Sequence, residues 1–279
     1  RDIQPGKVAY SAALKACAGL GLRGIEEGRS MQDEIIKHGF DEDTVLGSSI
    51  IDLYAKCGEL PKAEQVLEEL FVRDVFSWSA LISGHVQECQ CREALDCFGR
   101  MQAEALSPNA ITFTCTLKAC GSSRAINVGK KIHEEIMSRG LLKEDIVLGN
   151  ALLDMYAKCG RLAEAQHVFN KLPYRNVVSW STLIAEYTEY GQYQEALNCF
   201  EGMQSEGLSP NEVTFLSVLS ACNHSGLSNG AEIMFWNMIR RYHILPTLEH
   251  IVSMVVTFGY VGDFDKAMSV IREMPDSSH

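Results

Sequence analysis

A long stretch of this chain occurs twice, and any fold proposed for it must accommodate the duplication. Asp52–Gly58, spelling Asp-Leu-Tyr-Ala-Lys-Cys-Gly, returns 102 residues later as Asp154–Gly160, with Met in place of Leu. Ser77-Trp78-Ser79 returns at the same interval as Ser179-Trp180-Ser181, Glu93–Phe98 as Glu195–Phe200, and Ser107-Pro108-Asn109 as Ser209-Pro210-Asn211. Leu14–Cys17 and Leu117–Cys120 spell the same Leu-Lys-Ala-Cys, one residue out of step. Self-similarity of this kind marks a repeat architecture and has to be settled before anything else is read.

Each long unit breaks into smaller pieces. Over 146–176, Ala151, Leu152, Met155 and Tyr156 fall at helical spacing and Gly160 interrupts them. A second stripe of Leu162, Ala165, Val168, Phe169 and Leu172 then ends at Pro173. Segments 75–109 and 110–145 divide in the same way. Neither helix of such a pair can bury its apolar stripe alone, so neighbouring pairs must stack on one another. The expected fold is therefore all-α, a right-handed superhelical solenoid of helix–turn–helix repeats.

The ten cysteines follow the repeat. Cys17, Cys120 and Cys222 close similar strings, Cys57 and Cys159 sit in Ala-Lys-Cys-Gly, and Cys97 and Cys199 share Glu-Ala-Leu-x-Cys-Phe. With no Cys-x-x-Cys pair, their placement suits small apolar residues between helices better than zinc ligands or disulfides. No segment approaches the roughly 18 apolar residues of a membrane span. The start, Arg1–Gly6, lacks a signal core and reads as the tail of a preceding unit.

The tetratricopeptide pattern W-x2-L-G-x2-Y is absent. Instead, Val75–Ile82 (VFSWSALI), Gly207–Asn211 (GLSPN) and D-x-Y-A-K-C-G resemble pentatricopeptide repeats. The alternation of 36-, 31- and 35-residue units resembles the long, short and standard repeats of the plant PLS subgroup. In that register the long repeats are 7–43, 110–145 and 212–247, the short ones 44–74, 146–176 and 248–278, and the standard ones 75–109 and 177–211, with 1–6 left over. Pro246–His250 (PTLEH) resembles the closing pair of that subgroup, although Ile251 and Tyr260 replace its usual aromatic and basic residues.

The resemblance implies single-stranded RNA as the partner, read one base per repeat by the fifth and last residues and clamped by the second. The fifth/last pairs of the short and standard repeats are Ser48/Asp74, Ser79/Asn109, Asn150/Asn176 and Ser181/Asn211; the long repeats add Ser11/Asp43 and Thr114/Asp145 as weaker sites. Helix capping accounts for a short polar residue in last position but leaves the polar fifth residues without a reason. An ionised Asp only accepts hydrogen bonds, whereas Asn also donates, so Asp suits guanine or uracil and Asn suits adenine or cytosine. With the family's preference of Ser or Thr for purines and Asn for pyrimidines, the implied site is approximately 5′-GGAGYA-3′. The clamping positions hold Val8, Val45, Phe76, Ile111, Val147, Val178 and Val213, with buried struts as the alternative role. Lys56 and Lys158 match family lysines near phosphates.

Net charge runs against this expectation: 36 acidic and 25 basic residues leave −11, where phosphate binding ordinarily leaves a basic surplus. The resemblance further implies a mitochondrial or plastid protein that selects sites for C-to-U editing, with the deaminase in a separate domain or partner. No catalysis, cofactor or metal is expected of this chain. The same contacts would serve an RNA processing, splicing or stability factor, and the acidic surface would suit a protein scaffold. Two local matches are set aside. Gly19-Leu-Gly21-Leu-Arg-Gly24 fits the dinucleotide fingerprint with no strand before it. His133-Glu134-Glu135 fits half of a zinc-deaminase signature without its Pro-Cys-x-x-Cys. Trp78 and Trp180 are expected to pack between repeats.

Overall fold

The computed structural model describes residues 6–143 and 145–272. The expected tail at 1–6 falls, Gly6 apart, outside them, as does the end of the last repeat. Among the described residues there are α-helices, two short 3-10 turns and no strand. The chain divides into two compact units, residues 1–141 and 142–279, each an array of helical hairpins.

The first unit holds α1 (Lys7–Gly19) and α2 (Ile25–Lys37), α3 (Thr44–Lys56) and α4 (Leu60–Glu69), α5 (Val75–Gln87) and α6 (Cys91–Ala103), and α7 (Ala110–Ser123) and α8 (Ile126–Ser138). The second holds α9 (Ile146–Lys158) and α10 (Leu162–Lys171), α11 (Val177–Glu189) and α12 (Tyr193–Ser205), α13 (Glu212–His224) and α14 (Ser228–Arg240), and α15 (Leu248–Val261) and α16 (Phe264–Arg272). The Gly19–Gly24 match spans the end of α1 and a 3-10 turn, where no strand could present a phosphate loop.

The two helices of a pair have different surroundings. First helices are apolar on most faces because, within each unit, first helices of adjacent hairpins pack on one another as well as on their partners. In α9, Leu148, Ala151, Leu152, Leu153, Met155, Tyr156 and Ala157 are all buried. Second helices bury one stripe, as in α10 with Leu162, Ala165, Val168 and Phe169. Glycines permit the closest approaches: a Cβ at Gly47 or Gly149 would lie 2.4 or 2.5 Å from Leu70 or Leu172 Cδ2.

Trp78 and Trp180 are each fixed by one acid. Trp78 Nε1 donates to Glu104 Oε2 (2.9 Å) while Arg73 holds Glu104 Oε1 (2.6 Å). Trp180, Glu206 and Arg175 repeat the arrangement at 3.0 Å for both contacts. Both rings are buried, which gives them a packing role. Burial works against ionisation of Glu104, but hydrogen bonds from Trp78 and Arg73 together hold its carboxyl below the usual range.

The two copies close their turns differently. Gly191 and Gly207 take φ of 74° and 75°, while their counterparts Cys89 and Ala105 are held at 57°. A side chain in the left-handed region costs about 1–2 kcal/mol, partly offset by the greater freedom glycine has when unfolded. Ala105→Gly, which installs the second copy's residue, should therefore raise unfolding free energy by roughly 0.5–1 kcal/mol, measured by urea denaturation. Gly207→Ala should lower it by a similar amount.

Candidate nucleic-acid interface

The last residue of six repeats caps the helix that follows. Asp74 Oδ1 accepts from Ser77 N (2.8 Å), Asn109 Oδ1 from Thr112 N (2.9 Å), Asn176 Oδ1 from Ser179 N (3.0 Å) and Asn211 Oδ1 from Thr214 N (2.9 Å). Asp43 and Asp145 each accept two backbone N–H groups in the same way. A cap of this kind is worth about 1 kcal/mol, and it also orients the side chain. Because Oδ1 faces the helix, the remaining atom of each group faces away: Oδ2 in Asp74, Nδ2 in Asn109, Asn176 and Asn211. None of these four atoms has a hydrogen-bond partner within the described residues. Asp43 differs, since Lys7 Nζ holds its Oδ2 at 2.6 Å.

The fifth residues join these caps across the repeat boundary. Ser48 Oγ donates to Asp74 Oδ1 (3.0 Å), and Asn150 Nδ2 donates to Asn176 Oδ1 (3.2 Å). Ser79 and Ser181 reach their caps through one intermediate: each shares a 2.6 Å hydrogen bond with Thr112 or Thr214, whose hydroxyl donates to Asn109 Oδ1 (3.0 Å) or Asn211 Oδ1 (2.8 Å). Ser79 and Ser181 are only 5% and 6% exposed. Polarity in the first turn therefore has a structural cause that sequence reasoning lacked, a hydrogen bond to the next helix. Ser11 is likewise buried and meets Ser49 at 3.0 Å. Thr114 is half-buried.

The second residues point outward. In the first unit Val8, Val45, Phe76 and Ile111 are 59–84% exposed, and in the second Val147, Val178 and Val213 are 53–61% exposed. A strut would be buried, and these are not. One exposed apolar side chain means little, but the same exposure in the first turn of successive helices marks a surface built for contact. Each lies two residues after a capping Asp or Asn, with the exception of Val8, whose repeat begins at the edge of the described residues.

The PPR repeat family model matches residues 73–122 and 175–224, and the single PPR repeat model matches 48–75, 150–177, 213–243 and 252–279. Among curated proteins, a mitochondrial pentatricopeptide repeat-containing protein of Arabidopsis thaliana is 35% identical over 98% of this chain and 42% of its own length. A second from the same plant, also mitochondrial, is 37% identical over 94% of this chain and 47% of its own. The chain thus spans less than half the length of these relatives. Among solved structures, the maize pentatricopeptide repeat protein PPR10 in complex with an 18-nucleotide psaJ RNA element superposes with a TM-score of 0.61, at 18% identity, over 98% of this chain and 46% of that one.

The candidate phosphate lysines are engaged with acids. Lys56 pairs with Asp52 at 2.7 Å and Lys158 with Asp154 at 2.9 Å, each one helical turn away and half exposed. Exposed pairs of this kind are worth a few tenths of a kcal/mol, so a phosphate could displace the carboxylate. The second pair has a further neighbour. Glu186 on α11 is 7% exposed and occupies the place of Gly84 in the first copy. Burial, with Glu189 and Asp154 adding to it, pushes its carboxyl up to about 7 from an ordinary 4.5, against the pull of Lys158. The folded chain thus keeps this proton where the unfolded chain has lost it, so stability falls as pH rises from 4.5 to about 7 and stays lower above. Glu186→Gln should raise the melting temperature at pH 8, by roughly 2 °C for each kcal/mol relieved, and leave it unchanged at pH 4.5. An equal gain at both values would assign the effect to packing.

Proposed function

Since the chain belongs to the pentatricopeptide repeat family, we propose that it binds single-stranded RNA one base per repeat, as the site-recognition part of an organellar C-to-U editing factor. The observation that carries this proposal is the pairing of an exposed apolar second residue, at Phe76, Ile111, Val178 and Val213, with a capping Asp74, Asn109, Asn176 or Asn211 whose outer atom has no partner among the described residues. The maize relative's complex with RNA supports the choice of ligand. That the two Arabidopsis proteins are mitochondrial supports that organelle over the plastid. The long, short and standard alternation, with boundaries at 7, 44, 75, 110, 146, 177, 212 and 248, supports the PLS subgroup and with it editing.

The caps give the code a physical basis. Once Oδ1 is committed to the helix, Asp74 offers only an acceptor, which suits the ring N–H of guanine or uracil. Asn109, Asn176 and Asn211 offer Nδ2–H donors, which suit the ring nitrogen acceptors of adenine or cytosine. The fifth residues Ser48, Ser79, Asn150 and Ser181 then choose purine or pyrimidine. The site is approximately 5′-GGAGYA-3′. Its first letter is the weakest, because Lys7 takes the Asp43 oxygen that the base would need. With −11 net charge and both Lys56 and Lys158 engaged, few phosphates are neutralised and the salt dependence is shallow.

Gel shifts with RNA containing GGAGYA and with its scramble test this directly. The designed site should bind about tenfold tighter, or about 1.4 kcal/mol; equal or absent binding would leave the protein-scaffold alternative in its place. Changing Ser79→Asn with Asn109→Asp should move preference at the third base from A toward U, since Asp keeps the cap and reverses the outer atom. Phe76→Ser should weaken binding of every sequence while leaving stability within about 0.5 kcal/mol, as expected for an exposed position.

A further inference from the structure

Away from the proposed RNA surface, three side chains from three helices of the first unit meet where a metal ion could sit. Glu64 on α4, His85 on α5 and Cys97 on α6 each aim one ligand atom at a common point, all within 4.8 Å of one another. His85 lies at the far end of α5 from Phe76, roughly 13 Å along the axis at 1.5 Å per residue. His85 and Cys97 are almost wholly buried, at 2% and 3% exposed, while the Glu64 side chain is 42% exposed. The third ligand therefore stands at the solvent edge and leaves a route in.

The ring of His85 is held between two oxygens, Gln90 Oε1 at 2.9 Å from Nδ1 and Glu64 Oε1 at 3.1 Å from Nε2. A neutral imidazole has one N–H and can serve only one acceptor. Donating Nδ1–H to Gln90 leaves the Nε2 lone pair facing the Glu64 carboxylate, the tautomer, held by a hydrogen bond on its far nitrogen, that is usual for a metal-binding histidine. A second proton or a turned Gln90 amide would also relieve the clash, but neither would make use of the sulfur.

The duplicated copy supplies an internal comparison. In the second unit the same three places hold Gln166, Tyr187 and Cys199, and Tyr187 simply donates to Gln166 Oε1 at 3.0 Å. That arrangement closes its hydrogen bond with neutral groups and offers one ligand atom of the three. Two of the three positions thus differ between otherwise similar copies, both in the direction of metal ligands.

We propose that Glu64, His85 and Cys97 bind one zinc-class divalent ion, which ties α4 to the α5–α6 hairpin. Nitrogen, thiolate sulfur and carboxylate oxygen are the donor set zinc prefers. With sulfur at about 2.3 Å and nitrogen and oxygen at about 2.0–2.1 Å from the ion, tetrahedral ligands stand roughly 3.3–3.6 Å apart. The His85–Glu64 pair, at 3.1 Å, is already close to that spacing, and the Cys97 sulfur would have to close in by at most about 1.2 Å from the 4.8 Å limit, with water in fourth place.

The test uses the whole chain, kept reduced, stripped with chelator and dialysed against Zn²⁺ or Co²⁺. Wild type should retain one Zn²⁺ per chain by elemental analysis, gain several degrees in melting temperature, and show intense thiolate-to-cobalt absorption. Cys97→Ala and the pair Glu64→Gln/His85→Tyr, which installs the second copy's residues, should lose all three signals. Cys199→Ala should keep them. Gln90→Ala should weaken retention by about 10–100-fold. A wild type that retains no metal, or a Cys97→Ala chain that retains it equally, overturns the proposal. If the double variant does not fold, the Cys97→Ala comparison and the cobalt spectrum decide the matter alone.

Discussion

The side-chain N-cap at the head of α3, α5, α7, α9, α11 and α13 is the interaction on which the rest depends. A helix begins with unsatisfied N–H groups, and here the last residue of the preceding repeat supplies the missing acceptor. One hydrogen bond thereby starts a helix, fixes the junction between two repeats and orients the group that faces solvent. The fifth residue of the earlier repeat ties into the same cap, directly from Ser48 and Asn150 or through Thr112 and Thr214. Stability and the proposed recognition thus draw on opposite atoms of one side chain. A residue can cap and read a base together, because the cap uses Oδ1 alone.

The duplication makes small differences legible. Where the copies agree, as in the Trp78–Glu104–Arg73 and Trp180–Glu206–Arg175 arrangements, the geometry agrees to within a few tenths of an ångström. Where they disagree, each copy shows what the other lacks. Gly84 lets a helix approach Ala55 and Leu60 closely, and Glu186 in its place becomes a buried acid beside an ion pair. Cys89 and Ala105 adopt a backbone shape that their glycine counterparts adopt without steric cost.

Much of the fold was legible in the sequence. The stripes of 146–176 placed two helices and a break at Gly160, and the structure has α9 and α10 with φ of 71° at that glycine. The i,i+4 pairing of Asp52 with Lys56 and of Asp154 with Lys158 was also within reach, since an acid four residues before a lysine on a helix is a standing signal of an ion pair. The cluster of Glu64, His85 and Cys97 was not within reach: its members are spread over more than thirty residues, and no short spacing rule joins them.

The sequence by itself determined the repeat, the helical pairs and the buried faces, because these follow from local periodicity and from glycine and proline at the breaks. It also supplied the short polar residues at the repeat boundaries. Only the tertiary structure decided what those residues do with their atoms. The hydroxyl of Ser79 meets that of Thr112, thirty-three residues away, and neither side chain carries in its identity any sign of the other. Whether a valine is a strut or an exposed surface depends in the same way on what stands opposite it. Local pattern sets which helix forms; the neighbour that packs against it sets which atoms remain available.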